Sequence, residues 1–345
     1  MTRLNKLLVK IKKENLNAFL VTEPHNIFYL INCWMQGALF LTPFKKFLLT
    51  PPLYREEVEL KGKEWEIVVY HRTLEEALKK VERQTKPKRC GFESSFLSYY
   101  QYQRFKENWE GELVPYPHLI EEIRAVKDEK EIDLITDAWR VTKSTIDFLK
   151  GELRVGITEK QIFNKAINYI GENSDGISFF PIVLFGERTS LPHGRPTARK
   201  LKKNELVLLD LGARVKDYCA DLTTTLFFGD VSDKWFQIYK LVSEAQKAGL
   251  SKIKPGVKSS QIDESVRKVI EKGGYREAFL HASGHGVGLQ IHEEPFLKFN
   301  SETVLKEGMV LTIEPGIYLP GQGGVRLEEM FLVTKEGGKV FNDNC

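Results

Sequence analysis

Apolar residues recur at three- and four-residue intervals at the start of the chain. Leu4, Leu7, Leu8 and Ile11 predict a helix over residues 3–15, ending near Asn15. The apolar run at 18–22 is short enough for a strand. A longer apolar stretch at 37–52 is broken by Pro43, Lys45 and Lys46, so it predicts a buried pair of strands. No run approaches the ~20 apolar residues that a membrane-spanning helix requires. Strands at 47–49, 66–70 and 90–92 alternate with a helix near 74–84, which predicts a small α/β domain. Residues 114–117 hold two prolines, Pro115 and Pro117, and read as the exit from that domain. A long helix follows, with Ile132, Ile135, Ala138, Val141, Thr145 and Phe148 on one face. The boundary falls just before it, giving an N-terminal α/β domain over 1–121 and a second domain over 122–345.

Beyond a helix at about 158–172 the pattern changes, and strands dominate. Residues 205–228, ELVLLDLGARVKDYCADLTTTLFF, read as a hairpin turning around Lys216 and Asp217. Residues 309–333, MVLTIEPGIYLPGQGGVRLEEMFLV, read as a second hairpin turning at 320–324. Between them lie a helical region, roughly 232–273, and the stretch 281–295. Each hairpin carries two acids in apolar surroundings, which suggests two related halves facing each other.

Those acids are the chemical content of the sequence. Asp210 follows Val207, Leu208 and Leu209, and Glu314 follows Val310, Leu311, Thr312 and Ile313. A carboxylate inside an apolar strand is costly unless it is paired or bound to a cation. Asp221 and Glu328 fall on the return strands of the same two hairpins. One such acid alone would be a strand-end residue bonded to backbone; four in two matched hairpins point to a shared site. His285 lies in SGHGVGLQIHEEP, where Gly284, Gly286 and Gly288 let backbone pass close to a ligand. His281 precedes it, His292 is seven residues on, and His193 sits in the loop LPHG. Any one of these histidines alone reads as an ordinary core or surface residue. Together with the acids they suit two divalent ions bridged by carboxylates, with Mn, Co, Zn or Fe(II) all compatible.

Composition narrows the setting. Of 345 residues, 42% are hydrophobic and 28% charged, the profile of a soluble globular chain. A formal charge of +4 is too mild for nucleic acid, and Lys10, Lys12 and Lys13, like Lys200, Lys202 and Lys203, read as solvated faces. Cys33, Cys90, Cys219 and Cys345 are far apart with no CxxC spacing, which argues against a disulfide framework or cysteine zinc site. The N-terminus lacks the apolar core of a signal peptide. A cytoplasmic protein without nucleic-acid or membrane partners is expected.

Several stretches resemble a known family. DLGARVKDYCADLTTT, HASGHGVGLQIHEEP, TIEPGIY and VRLEE are similar to segments of the pita-bread metallopeptidases, which include methionine aminopeptidase, aminopeptidase P and prolidase. The resemblance is strong over 120–345. TEPHNIFYLINCW extends it to the small N-terminal domain of prolidase and aminopeptidase P, which methionine aminopeptidase lacks. The implied fold class is α+β, a C-terminal pita-bread domain preceded by a smaller α/β domain of creatinase/prolidase type. By the same resemblance Asp210 binds one metal alone, Asp221 and Glu328 bridge the two, and His285 and Glu314 complete the other. His193 and His292 match the histidines that hold the substrate, and Arg326 matches a residue bracing the site in proline-specific members. The implied reaction is hydrolysis of the Xaa-Pro bond of dipeptides or short peptides by a metal-bridging hydroxide, with Glu314 as general base. Cofactors of two divalent ions per chain (Mn, Co or Zn), a homodimer and cleavage of the trans isomer are expected with it.

The sequence also departs from the family. Glu329 stands where relatives commonly have Asp, and Thr223-Thr224-Thr225 where many have Thr-Arg-Thr; neither is expected to touch a ligand. Phe296 stands where some prolidases carry an arginine for the dipeptide carboxylate. Arg195 and Arg188 are the alternative cations in the sequence, and without them the cleft would stay open to Xaa-Pro-Yaa tripeptides. Two competing readings are a catalytically inactive binding protein on the same scaffold and a creatinase-like enzyme, against which the full ligand set argues.

Overall fold

The structure, a computed structural model, describes residues 1–61, 64–107 and 109–342. They divide into two compact units, Met1–Arg124 and Ala125–Cys345. The first contains α1 (Arg3–Lys13), β1 (Ala18–Val21), α2 (Pro24–Ile31), β2 (Ala38–Leu41), β3 (Lys46–Thr50), α3 (Arg55–Glu59), β4 (Glu66–Val69), α4 (Leu74–Thr85), β5 (Arg89–Glu93), α5 (Tyr99–Glu107), β6 (Glu112–Tyr116) and α6 (Glu121–Arg124). Thr2 caps α1, accepting from the Asn5 amide at 3.2 Å. Asn15 ends that segment in the left-handed region, at φ 54°. The apolar run at 37–52 forms β2 and β3, paired antiparallel and buried. One six-stranded mixed sheet, in the order β4-β3-β2-β1-β5-β6, organises the unit. Residues 114–117 differ from the expected exit: most of them lie in β6, which pairs parallel with β5 at the sheet edge. Proline is tolerated there because an edge strand leaves one row of its groups unpaired.

The second unit begins with α7 (Glu129–Glu152) and α8 (Glu159–Asn173), both started by capping boxes, Asp128 with Glu131 and Thr158 with Gln161. The buried stripe of α7 runs through Ile135, Ala138, Trp139, Thr142, Thr145, Ile146 and Leu149. It is rotated from the predicted face, leaving Ile132, Val141 and Phe148 at its margin. Thr142 joins the expected Thr145 on the buried face because both hydroxyls are satisfied within the helix, donating to the carbonyls of Ala138 and Val141 at 2.8 and 2.7 Å. Next come β7 (Gly176–Ile177), β8 (Ile182–Phe185), β9 (Glu205–Leu211), β10 (Ala213–Val215), β11 (Tyr218–Cys219) and β12 (Leu222–Phe228). Then follow α9 (Asp233–Leu250), α10 (Ser259–Lys272), β13 (Gly284–Gly286), β14 (Glu293–Leu297), β15 (Val310–Ile313), β16 (Gly316–Leu319), β17 (Gly323–Arg326), β18 (Glu329–Val333) and β19 (Gly338–Val340).

Each predicted hairpin is two nested antiparallel pairs. In the first, β9 pairs with β12 and, inside them, β10 pairs with β11. Lys216 and Asp217 turn the inner pair at φ 44° and 70°, the positive angles a tight hairpin turn requires. In the second, β15 pairs with β18 and β16 with β17. The helical region between them is two helices, whose Val242, Ala245, Ile262 and Val266 share a core with Leu311, Ile313 and Phe331. Cys33, Cys90 and Cys219 carry free thiols, and Cys345 lies outside the described residues. No described helix is long and apolar enough to cross a membrane.

Candidate metal centre

The junctions between outer and inner pairs of the two hairpins are where the acids sit. Asp210 is in β9, in register with Thr223 of β12 and Ile182 of β8. Asp221 immediately precedes β12, Glu314 follows β15, and Glu328 precedes β18. Main-chain bonds fix these positions: Glu328 N–H donates to Thr223 O and Glu314 N–H to Ser283 O, both at 2.9 Å. His285 is held on β13 by its own amide, which donates to Thr312 Oγ1 at 3.2 Å. Gly284 and Gly286 allow close strand packing, and Gly284 also lines the cavity at this site. A Cβ at Gly284 would meet the Thr312 carbonyl, and one at Gly286 the Glu294 carbonyl.

All five proposed ligands converge. Potential ligand atoms of Asp210, Asp221 and Glu328 lie within 4.8 Å of one another, as do those of His285, Glu314 and Glu328. His285 Nδ1 is committed to Gly286 O at 3.1 Å. Its Nε2 faces Asp221 Oδ2 at 3.6 Å, Glu314 Oε1 at 3.7 Å and Glu328 Oε1 at 3.9 Å. These atoms line a cavity of about 370 Å³ whose other wall is apolar, formed by Phe179, Ile182 and Phe296. His193 and His292 also line it, and both are exposed. The His292 ring lies 4.3 Å from that of His285, and an atom of His292 also falls within ligand range of Asp221 and His285.

The electrostatics are those of a site built for positive charge. Burial, then the charges of Glu328, Asp210 and Glu314, holds the Asp221 carboxyl well above the usual carboxylate range. Burial and Glu328 do the same to Glu314. Burial and Asp210 push Glu328 up to about 7, against the hydrogen bond from Thr223. Burial, reinforced by His292, lowers His285 to about 3, so its imidazole is neutral and able to donate a lone pair. Asp221 Oδ1 is buried without a hydrogen-bond partner among the described residues. An orphaned carboxylate oxygen among three further acids is stable when a cation takes the missing donor's place. Oxygen-rich donors with one imidazole suit a divalent first-row ion, so these residues fit such a group.

One guanidinium braces the acids. Arg326, buried on β17, donates from Nη2 to Asp210 Oδ2, from Nη1 to Tyr318 Oη at 2.9 Å and Pro192 O at 3.2 Å, and from Nε to Thr223 Oγ1 at 3.3 Å. His281 Nδ1 donates to Ala282 O at 2.8 Å, so its Nε2 accepts from the Tyr318 hydroxyl, also at 2.8 Å. Burial and the Arg326 charge lower His281 to about 4, in keeping with that neutral tautomer. Tyr318→Phe leaves both Arg326 and His281 short of a partner. It is expected to cost about 1–3 kcal/mol in denaturant unfolding; an unchanged midpoint would show that neither bond matters.

The expected inertness of the Thr223 stretch is corrected. Thr223 Oγ1 donates to Glu328 Oε2 at 2.8 Å, so the stretch does touch a proposed ligand. Glu329 instead accepts from Trp139 Nε1 at 3.0 Å. Arg188 is not a free cation: its Nε donates to both oxygens of buried Glu159 at 3.1 Å. Arg195 does not line the carboxylate cavity but an adjoining hollow.

Four supporting residues carry no signal in the sequence. Tyr318 is one, and Glu159 is another. Asp263 of α10 accepts from Ser283 Oγ at 2.6 Å and from Arg267 Nε at 2.9 Å, anchoring the approach to β13. Glu293, next to His292, pairs with Lys127 at 2.8 Å, with side chains 4% and 1% exposed. A single acid or tyrosine at helix or strand spacing carries no signal of such a role.

The fold and the acid-lined cavity define a metal-dependent peptide hydrolase, and the chain belongs to metallopeptidase family M24, which it matches over residues 133–335. Residues 3–126 match the creatinase/prolidase N-terminal domain. The chain is similar to an uncharacterized peptidase of Bacillus subtilis, 32% identical over 98% of this chain and 97% of that protein. Among solved structures it resembles a Xaa-Pro dipeptidase from Bacillus anthracis, with a TM-score of 0.93 and 33% identity over 99% and 97% of the two chains. It also resembles an X-Pro aminopeptidase from Thermotoga maritima, with a TM-score of 0.90 and 28% identity over 99% and 98%. The expected pita-bread architecture with a creatinase-type N-terminal domain is thus present, and divalent metal is the family's cofactor.

Proposed function

We propose that this chain hydrolyses the peptide bond between an N-terminal residue and a following proline. Asp210, Asp221, His285, Glu314 and Glu328 would hold two divalent ions. The observation carrying the reading is their convergence, with the neutral His285 Nε2 facing three carboxylates and Asp221 Oδ1 left without a donor. Ions bound there would supply Lewis acidity, activating a water and polarising the scissile carbonyl. Glu314 accepts the proton of the attacking water and delivers it to the departing proline nitrogen. His193 and His292, exposed on the rim, donate to the substrate carbonyl as it gains negative charge. Arg326 holds Asp210 in place through the buried ion pair. The apolar wall of Phe179, Ile182 and Phe296 excludes water and offers the proline ring a surface that needs no hydrogen bonds. The prolidase and X-Pro aminopeptidase likenesses support the same bond specificity.

Chelation tests the metal requirement. Removing the ions leaves the four acids repelling one another, so activity should vanish and the melting temperature fall. Full turnover in protein shown by elemental analysis to be metal-free would exclude the reading.

A further inference from the structure

The carboxylate cavity opens onto a second hollow of about 520 Å³, and Ile182 and His193 line both. Resting on the reading above, we propose that this second hollow is a subsite for the residue after proline. It selects peptides that end there with an apolar side chain and a free carboxylate.

The lining supplies both halves of that chemistry. Phe163, Phe180, Pro181 and Pro196 give apolar surface, while Lys160 and Arg195 give two cations. No carboxylate lines the hollow, and neither cation is paired with an acid among the described residues. Phe180 is 77% exposed, an aromatic surface open to a side chain stacking on it. With His193 at the substrate carbonyl, a chain continuing past proline enters this space. A terminal carboxylate there meets Arg195, whose planar fork binds carboxylates in two-pronged fashion.

The loop that presents Arg195 is already rigid. Arg188 Nη2 donates to the Arg195 carbonyl at 2.8 Å, and Arg188 is itself fastened to Glu159. Thr197 donates to the same carboxylate through its amide at 2.8 Å and its hydroxyl at 2.7 Å. Glu159 also accepts from the Phe185 amide at 3.0 Å, and its side chain is fully buried. One buried acid thus ties down both sides of Arg195, so little loop ordering is left for binding to offset. Phe296, lining the inner cavity without a charge, leaves the carboxylate of a bare dipeptide without this contact.

The test compares Ala-Pro, Ala-Pro-Phe and Ala-Pro-Phe-amide on metal-loaded protein, with calorimetry of the product Pro-Phe on the same protein. Ala-Pro-Phe should exceed its amide in kcat/KM by about ten-fold, through KM. Arg195→Ala should remove that difference and weaken Pro-Phe binding about ten-fold, while Ala-Pro turnover changes less than two-fold. Equal handling of acid and amide by the wild type would overturn the subsite, as would Ala-Pro turnover with Ala-Pro-Phe inert. If no Xaa-Pro peptide is cleaved, the peptidase reading fails. Pro-Phe binding then decides the subsite separately: Arg195-dependent binding supports it and its absence removes it.

Discussion

Glu314→Gln is expected to lower kcat by at least ~10²-fold with little change in fold. Of the four clustered acids Glu314 has the most exposed side chain, 18%, against 9% for Asp210, 6% for Asp221 and 3% for Glu328. All four line the cavity, and this greater exposure suits Glu314 to serve an attacking water and a leaving nitrogen. Its Oε1 lies 3.7 Å from His285 Nε2, and its Oε2 lies 3.7 Å from His281 Nδ1. Glutamine preserves that shape but cannot take up a proton. Near-normal kcat with unchanged metal content would show that another group is the base.

The second large effect concerns stability. Lys127→Met should cost about 3–5 kcal/mol, because it takes away the buried ammonium that Glu293 pairs with and leaves that carboxylate in the interior without its countercharge. In a unit of this size that corresponds to a fall in melting temperature of roughly 10 °C. Adding Glu293→Leu should restore much of the loss, since the buried carboxylate is then removed together with its ammonium. A Lys127→Met protein as stable as the parent, or a double variant weaker than the single, would contradict this. Glu293 adjoins His292, so activity should fall with stability.

The sequence made some of this architecture plain and concealed the rest for physical reasons. Asp210 and Glu314 were visible because an acid among consecutive valines, leucines and isoleucines breaks an otherwise apolar run. Their partners followed from hairpin geometry, and β9–β12 and β15–β18 pair as that geometry requires. The stripe on α7 is displaced from the predicted one because Thr142 looks polar, yet it satisfies its hydroxyl within the helix, as the expected Thr145 does. Strand β6 is concealed because two prolines read as a break, whereas the edge position tolerates Pro115. Glu159, Asp263 and Lys127 were illegible because their importance depends on partners distant in the chain: Thr197, Ser283 and Glu293. Arg188 and Arg195 looked equivalent as loop cations, and only the contact with Glu159 separates the anchored one from the free one.

The most direct measurement is proline release from Ala-Pro by protein stripped of metal and then reloaded with Mn, Co or Zn. The account predicts no release from the stripped protein, recovery with at least one ion, and no recovery in Asp221→Asn, which alters the acid whose oxygen lacks a donor. Release that is indifferent to metal, or undiminished in Asp221→Asn, would contradict it.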